Sequence, residues 1–282
     1  MSKKKKILAG VALIATSITT YYVIQGYRYV RSDNAQVDAR TLALSTKVGG
    51  YVEKVMVDVG DVVTAGTIVA KLDDRDFKNN LVRAIAERES VDARLQDAQR
   101  TYRRLAELTA KGAATQAQLD AATAIFNELK ARQAAAVAQV ALAELNLSYC
   151  EIKAPFDGFI ARRSVQPGQL LSPGTPVFGF VDSEERWITA NLKETELKGL
   201  ATGAEVDIDV DSIPGKSFSG TLAQFSPVTG ATFALIPPDN ATGNFTKVVQ
   251  RIPVKIKLNS LSQEDRKALR VGLSAEVKIH RQ

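Results

Sequence analysis

The strongest constraint on this chain is that it says one thing twice. "GDVVTAGT" (Gly60–Thr67) returns as "GQLLSPGT" (Gly168–Thr175), 108 residues later. The match extends outward in the same register. Gly50-Tyr51-Val52 meets Gly158-Phe159-Ile160, Val57 meets Val165, Val69 meets Val177 and Asp74 meets Asp182. Three glycines held at one offset, with apolar positions in phase between them, define an internal repeat of about thirty residues. Two copies are too few for a solenoid. They are expected to be half-motifs packed together as one small β-domain.

Between the copies the language changes. From about Asp74 to Leu147 the chain turns to Ala, Leu, Gln, Glu and Arg, all good helix formers. Apolar residues recur at sevens: Phe77, Ala84, Val91, Ala98 and Leu105, interleaved with Leu81, Leu95 and Tyr102, where Arg88 is a fault. After a break the pattern resumes at Leu119, Phe126, Val140 and Leu147, with Gln133 polar, and at Ala122, Leu129, Ala136 and Ala143. Two such stripes predict an antiparallel coiled coil. In the break, Gly112 suits a helix C-terminus that needs a left-handed backbone, and Thr115 can N-cap the second helix. Arms of about 35 residues span about 50 Å. An antiparallel hairpin returns the chain to its starting point, so the second half-motif can complete the first.

At the N-terminus, Ile7–Ile24 is an uncharged apolar run preceded by Lys3–Lys6, with Tyr21, Tyr22, Tyr27 and Tyr29 clustered at its far end. This predicts one transmembrane helix with a cytoplasmic N-terminus and the bulk of the chain on the other side. A cleaved signal peptide is the rival, but no small-x-small site follows the run. Four of the six excess positive charges are Lys3–Lys6, so the basic balance does not argue for nucleic acid. Cys150 is the single cysteine and His280 the single histidine, two residues from the end. That excludes an internal disulfide and argues against a His/Cys metal site or a Ser-His-Asp triad. No catalytic residue and no cofactor are expected.

The C-terminal third reads as short strands: WITANL, AEVDIDV, FSGTLAQFS, VVQRIPVKIKL and LSAEVKIH. Asp211–Gly215 is a turn, and a short helix fits around Glu194–Leu200. Strands at this spacing predict a small barrel, to which Ala35–Leu44 adds a strand. A long insert, Thr229–Lys247, carries Phe233, Leu235, Ile236 and Phe245. It is expected either to meet a transporter or a neighbouring copy, or to fold over its own barrel.

"GGYVEKVMVDVGDVVTAGTIVAKLD" and "IKAPFDGFIARRSVQPGQLLSPGTPVFGFVD" resemble the two halves of a biotinyl/lipoyl-type domain. No Met-Lys-Met occurs to carry a swinging arm, so a biotin or lipoyl carrier is the weaker alternative. Split halves around a coiled coil, behind an N-terminal anchor, resemble the periplasmic adaptor (membrane fusion protein, HlyD) family. "WITANLKETEL" and "TGATFALIPPDNATGNFTKVVQRIPVKIKL" resemble its EmrA-like branch. The resemblance implies a mainly β fold with a long α-helical hairpin, a split lipoyl-like domain and a β-barrel, behind one transmembrane helix. In segments this gives a tail 1–6, a span 7–24, a linker and first barrel strand 25–43, and half-motifs 44–73 and 149–182. The hairpin is 74–148 with its tip at about 109–115, and the barrel 183–282 with its loop 229–247. The implied role is a non-enzymatic adaptor in the inner membrane of a Gram-negative bacterium. It joins a major-facilitator transporter to a TolC-like outer-membrane channel, as a trimer or hexamer. An adaptor of an ABC-type secretion system is the alternative. The family's tip pattern maps onto Arg104, Leu108 and Thr115, with Thr for Ser, followed by Leu119-Asp120. From the residues alone, Leu108 reads first as a coil contact and Arg104 as a solvated charge.

Overall fold

The computed structural model describes residues 28–230, 232 and 248–281. The expected span and tail, and the loop residues Phe233, Leu235, Ile236 and Phe245, lie outside them. The chain divides into two units, one formed by Thr41–Val181 and the other by the residues up to Arg40 together with those from Asp182 onward.

Strand β1 (Tyr29–Asp38) belongs to the second of these. The Asp38 carboxylate accepts the Ala39 N–H at 2.9 Å, a local bond that ends the ladder. The next strand, β2 (Thr41–Ser45), pairs in a different sheet. The single strand expected over Ala35–Leu44 is therefore two half-strands in two units.

The Thr41–Val181 unit continues with β3 (Gly50–Val55), β4 (Val62–Val63) and β5 (Ile68–Leu72). Helices α1 (Arg75–Ala110) and α2 (Gln116–Ser148) follow, then β6 (Glu151–Lys153), β7 (Gly158–Arg163), β8 (Leu170–Leu171) and β9 (Pro176–Asp182). Two four-stranded sheets result, β2-β9-β7-β4 and β6-β5-β3-β8. Moving along the chain by the repeat offset turns each strand of one sheet into a strand of the other. The backbone bonds obey the same rule. Gly60 N–H donates to Ile160 O and Gly168 N–H to Val52 O, both at 2.8 Å; Gly66 N–H reaches Ala154 O and Gly174 N–H reaches Thr46 O, again at 2.8 Å. Each half thus supplies the partners that the other half's turns require. Gly60, Gly66, Gly168 and Gly174 all have φ between 82° and 95°, where a side chain would be strained. Val52, Val69, Leu72, Ile160, Val177, Phe178 and Phe180 fill the shared core.

The remaining unit is a closed barrel, β1-β10-β13-β12-β11-β14. Its later strands are β10 (Trp187–Lys193), β11 (Glu205–Val210), β12 (Ser217–Phe225), β13 (Arg251–Leu258) and β14 (Ser274–His280). Alternation along each strand sends Val37, Ile188, Leu192, Ile208, Leu222, Ile256 and Ile279 inward, all fully buried. The helix expected around Glu194–Leu200 is a single 3₁₀ turn, Glu194–Glu196. An unforeseen short helix α3 (Gln263–Ala268) is capped by Ser262, whose hydroxyl accepts the Asp265 N–H at 3.1 Å. Leu269, just after it, plugs the barrel core. The buried Arg186 guanidinium donates to the carbonyls of Asp182, Glu185 and Leu269.

Antiparallel pairing fixes what stands on each rim. Tyr29 faces His280, Lys193 faces Arg251 and Val206 faces Ile279. One rim therefore carries the start of β1, the end of β14, and both ends of the connection from β12 to β13, to which the long loop belongs.

Candidate functional site

Helices α1 and α2, of 36 and 33 residues, pack antiparallel. Every heptad position read from the sequence is buried or half-buried, with Ala84, Val91, Ala98, Ala122, Val140 and Ala143 the most enclosed. Tyr102 stacks on Phe126 with ring centroids 5.5 Å apart. The two polar faults belong to one layer. Gln133 Nε2 donates to Asp92 Oδ1 across the helices at 2.8 Å, and Arg88 Nε lies 3.8 Å from Asp92 Oδ2.

The tip is held rigidly by backbone chemistry. Ala113 N–H donates to Leu108 O at 2.8 Å and Gly112 N–H to Thr109 O at 3.0 Å. That pair of bonds, with Gly112 at φ 72°, is a Schellman closure of α1. Thr115 opens α2 with a capping box. Its hydroxyl accepts the Gln118 N–H at 3.3 Å, and Gln118 Oε1 accepts the Thr115 N–H at 2.9 Å. Thr115 thus has a complete structural role in which Ser and Thr are equivalent.

The four tip residues of the sequence reading are gathered at this end of the hairpin. Arg104 and Leu108 stand four apart on one face of α1, both exposed, with Leu108 at 37%. Arg104 makes no ion pair among the described residues. Leu119 is half-buried, and its carbonyl accepts the Thr123 hydroxyl at 2.8 Å. It supports the tip more than it presents itself. Chemically, Arg104 and Leu108 offer a cationic donor beside an apolar knob on a braced turn. Next to them, Ala93, Arg94, Thr101, Leu105, Ala121 and Ile125 line an open groove of about 790 Å³.

Sequence reading missed the charged root of the hairpin. Asp74 is buried where β5 becomes α1, 3.1 Å from Lys71 and 3.0 Å from Lys78. Lys78, and then Lys71, hold its carboxyl below the usual range. Arg75 draws Asp73 down to about 2. Bonds to Glu53 and Asp74 push Lys71 up. The signal was available: Asp182, the repeat partner of Asp74, is also buried and is bound by Arg40 at 2.9 Å. Cys150 is buried just past α2, and burial pushes its thiol up to about 11. Among the described residues, no cluster of His, Cys, Asp and Glu could hold a metal ion.

Residues 40–182 match the family model of the CzcB-like barrel-sandwich hybrid domain. The chain is 35% identical to the fatty acid resistance protein FarA of Neisseria gonorrhoeae, over 88% of this chain and 75% of that one. It is 31% identical to the multidrug export protein EmrA of Escherichia coli, over 94% and 80%. Its fold is similar to that of the membrane fusion protein Spr0693 of Streptococcus pneumoniae, with a TM-score of 0.68 and 16% identity over 90% and 99%. The domain, the relatives along most of the chain and the split-sandwich geometry agree, and the chain belongs to the membrane fusion (periplasmic adaptor) protein family, in its EmrA-like branch.

Proposed function

We propose that this chain is the adaptor subunit of an efflux pump for drugs and other hydrophobic toxicants. Its N-terminal run holds it in the inner membrane of a Gram-negative bacterium, with the bulk of the chain in the periplasm. It binds a major-facilitator transporter there and presents the hairpin tip to a TolC-like outer-membrane channel. It works as a linker and carries out no chemistry. A channel with threefold symmetry would take three or six copies.

The observation that carries this reading is the hairpin itself. A coiled coil about 50 Å long springs from between two halves of one sandwich and ends in a braced tip that exposes Arg104 and Leu108. Arg104 and Leu108 stay exposed in the rod's own fold, which suits them to a partner. The names of the relatives, fatty acid resistance and multidrug export, support the class of cargo.

The test is genetic. Deleting the gene is expected to sensitise cells to hydrophobic antibiotics, detergents and fatty acids. The wild type should restore resistance, and Arg104→Asp with Leu108→Ser should not, at equal protein level. Unchanged sensitivity after deletion would remove drug efflux as the function. Full rescue by the double variant would keep the adaptor and discard the tip.

A further inference from the structure

The β-barrel has two unlike rims. On the far rim, Lys216 is bound to Asp265 and Arg266 to Glu184, while Lys267 and Arg270 form no ion pair among the described residues. The rim that receives β1 is different. It gathers Arg28, Arg31, Lys193, Lys198, Arg251 and Arg281. Arg28, Lys198, Arg251 and Arg281 form no ion pair among the described residues. The acidic side chains at the same level are Asp33, Glu194, Glu196, Glu205 and Asp207, and Glu196 is already bound by Lys193 at 3.5 Å. Asp207 stands level with Arg31, with Lys278 between them, and is bound by His280 at 3.0 Å. The rim is therefore net cationic. Beside Arg251, Val248 and Val249 are 68% and 49% exposed, a basic and apolar surface side by side.

Chain length brings this rim to a membrane. Only Gln25, Gly26 and Tyr27 separate the apolar run ending at Ile24 from Arg28. Four virtual bonds of the chain place Arg28 no more than about 14 Å from the end of the span. That distance is comparable to a Debye length of about 8 Å plus the reach of an arginine side chain.

We propose that this rim seats on anionic phospholipid headgroups, with Arg28, Lys198, Arg251 and Arg281 facing phosphate and Val248–Val249 against the interface. The proposal rests on the membrane-anchored reading above. It adds a second contact, which fixes how the barrel faces the bilayer. Each Lys or Arg near an anionic surface strengthens such a contact about fivefold, and salt weakens it.

The full chain, placed in vesicles through its own N-terminus with no transporter present, tests this. A fluorophore on Val248→Cys reports on the rim. Cys150 does not compete for the label, because it is buried. Flotation with the vesicles reads anchoring separately. The expected result is about threefold weaker quenching by acrylamide when about a third of the lipid is phosphatidylglycerol than in pure phosphatidylcholine. About 0.5 M salt should remove the difference, and so should Arg28→Glu with Arg251→Glu, with flotation unchanged. Equal quenching in the two lipids, whether strong or weak, with flotation intact would overturn the rim contact and leave the anchor standing. Shielding that required an added transporter would assign the rim to a protein partner and overturn it too. Failure to float would remove the anchored reading, and the rim contact with it.

Discussion

Gly50 and Gly158 hold equivalent places in the two half-motifs, but their surroundings differ. A Cβ on Gly50 would meet only Leu72 Cβ at 3.9 Å, an ordinary contact. A Cβ on Gly158 would run into the carbonyl oxygen of Val181 and the ring of Phe180 at 3.0 Å. A backbone carbonyl cannot step aside. Gly158→Ala is therefore expected to destabilise the sandwich by about 1–3 kcal/mol, whereas Gly50→Ala should stay within about 0.5 kcal/mol. Urea unfolding followed by the helical far-UV signal, compared between the two variants, checks this; equal effects would contradict it. The hairpin root makes a second prediction at this scale. The carboxyls of Asp73 and Asp74 are depressed in the fold. Their contribution is full above the ordinary carboxylate range of about 4, and it is lost as pH falls through the folded values. Lys71 is raised, so its share is full below the ordinary lysine value and is lost only in strong base. The urea midpoint should be flat from neutrality to about pH 5 and fall below about pH 4. Asp74→Asn should lower the neutral midpoint and flatten the acid limb. A midpoint that declined near neutral pH would contradict the assignment.

Within the hairpin, the polar layer sets a trade between stability and register. Arg88 Nε is enclosed without a hydrogen-bond partner, with Asp92 Oδ2 3.8 Å away, so the layer is incompletely satisfied. Replacing Arg88 and Gln133 together by Leu is expected to raise the midpoint of the helical signal. Losing the layer should also admit slipped pairings of the Ala-rich stripes. Disulfide trapping between cysteines placed across the helices would show the native pair losing exclusivity. If the double variant were no more stable, the layer would be fully satisfied in solution. The same two residues show how far the sequence could be read at this scale. Heptad counting flagged Arg88 as a fault and put Gln133 in a stripe, and it located the stripes, the Gly112 break and the Thr115 cap, because all of these are local and periodic. That Arg88 and Gln133 share Asp92 could not be read, because it depends on the register of one arm against the other. The break between Asp38 and Thr41 escaped for a related reason: an apolar alternation continues across it while the sheet membership changes. Helix α3 is too short for its periodicity to register, although its Ser262 cap was legible. Leu108 and Arg104 are singled out by the resemblance to the family's tip pattern, but their exposure is a property of the closed turn.

At the scale of the whole molecule, the repeat and the hairpin are separable in their energetics. The two halves exchange backbone bonds at every turn without using a single residue of α1 or α2. Strands β5 and β6 pair directly, Ala70 opposite Ile152 and Lys71 opposite Glu151, and Leu72 N–H donates to Cys150 O at 2.8 Å. The point where the hairpin leaves and the point where it returns are therefore held together by the sheet. Replacing residues 75–148 with a short Gly-Ser turn should leave the sandwich folded, since a shorter connection reduces the loop-closure cost by about 0.6 kcal/mol per halving of length. Phe77 is the one heptad residue packed against the sandwich core, so a modest loss of stability is expected from its removal. Amide exchange on the shortened protein reads the outcome. Protection at Val52, Leu72, Ile160 and Val177 should persist, while resistance in the complemented deletion strain is lost. Retained protection with lost resistance separates the rod's work in docking from the work of folding. Loss of protection would mean that the hairpin nucleates the sandwich, and the two halves would then owe their pairing to the helices that bring them together.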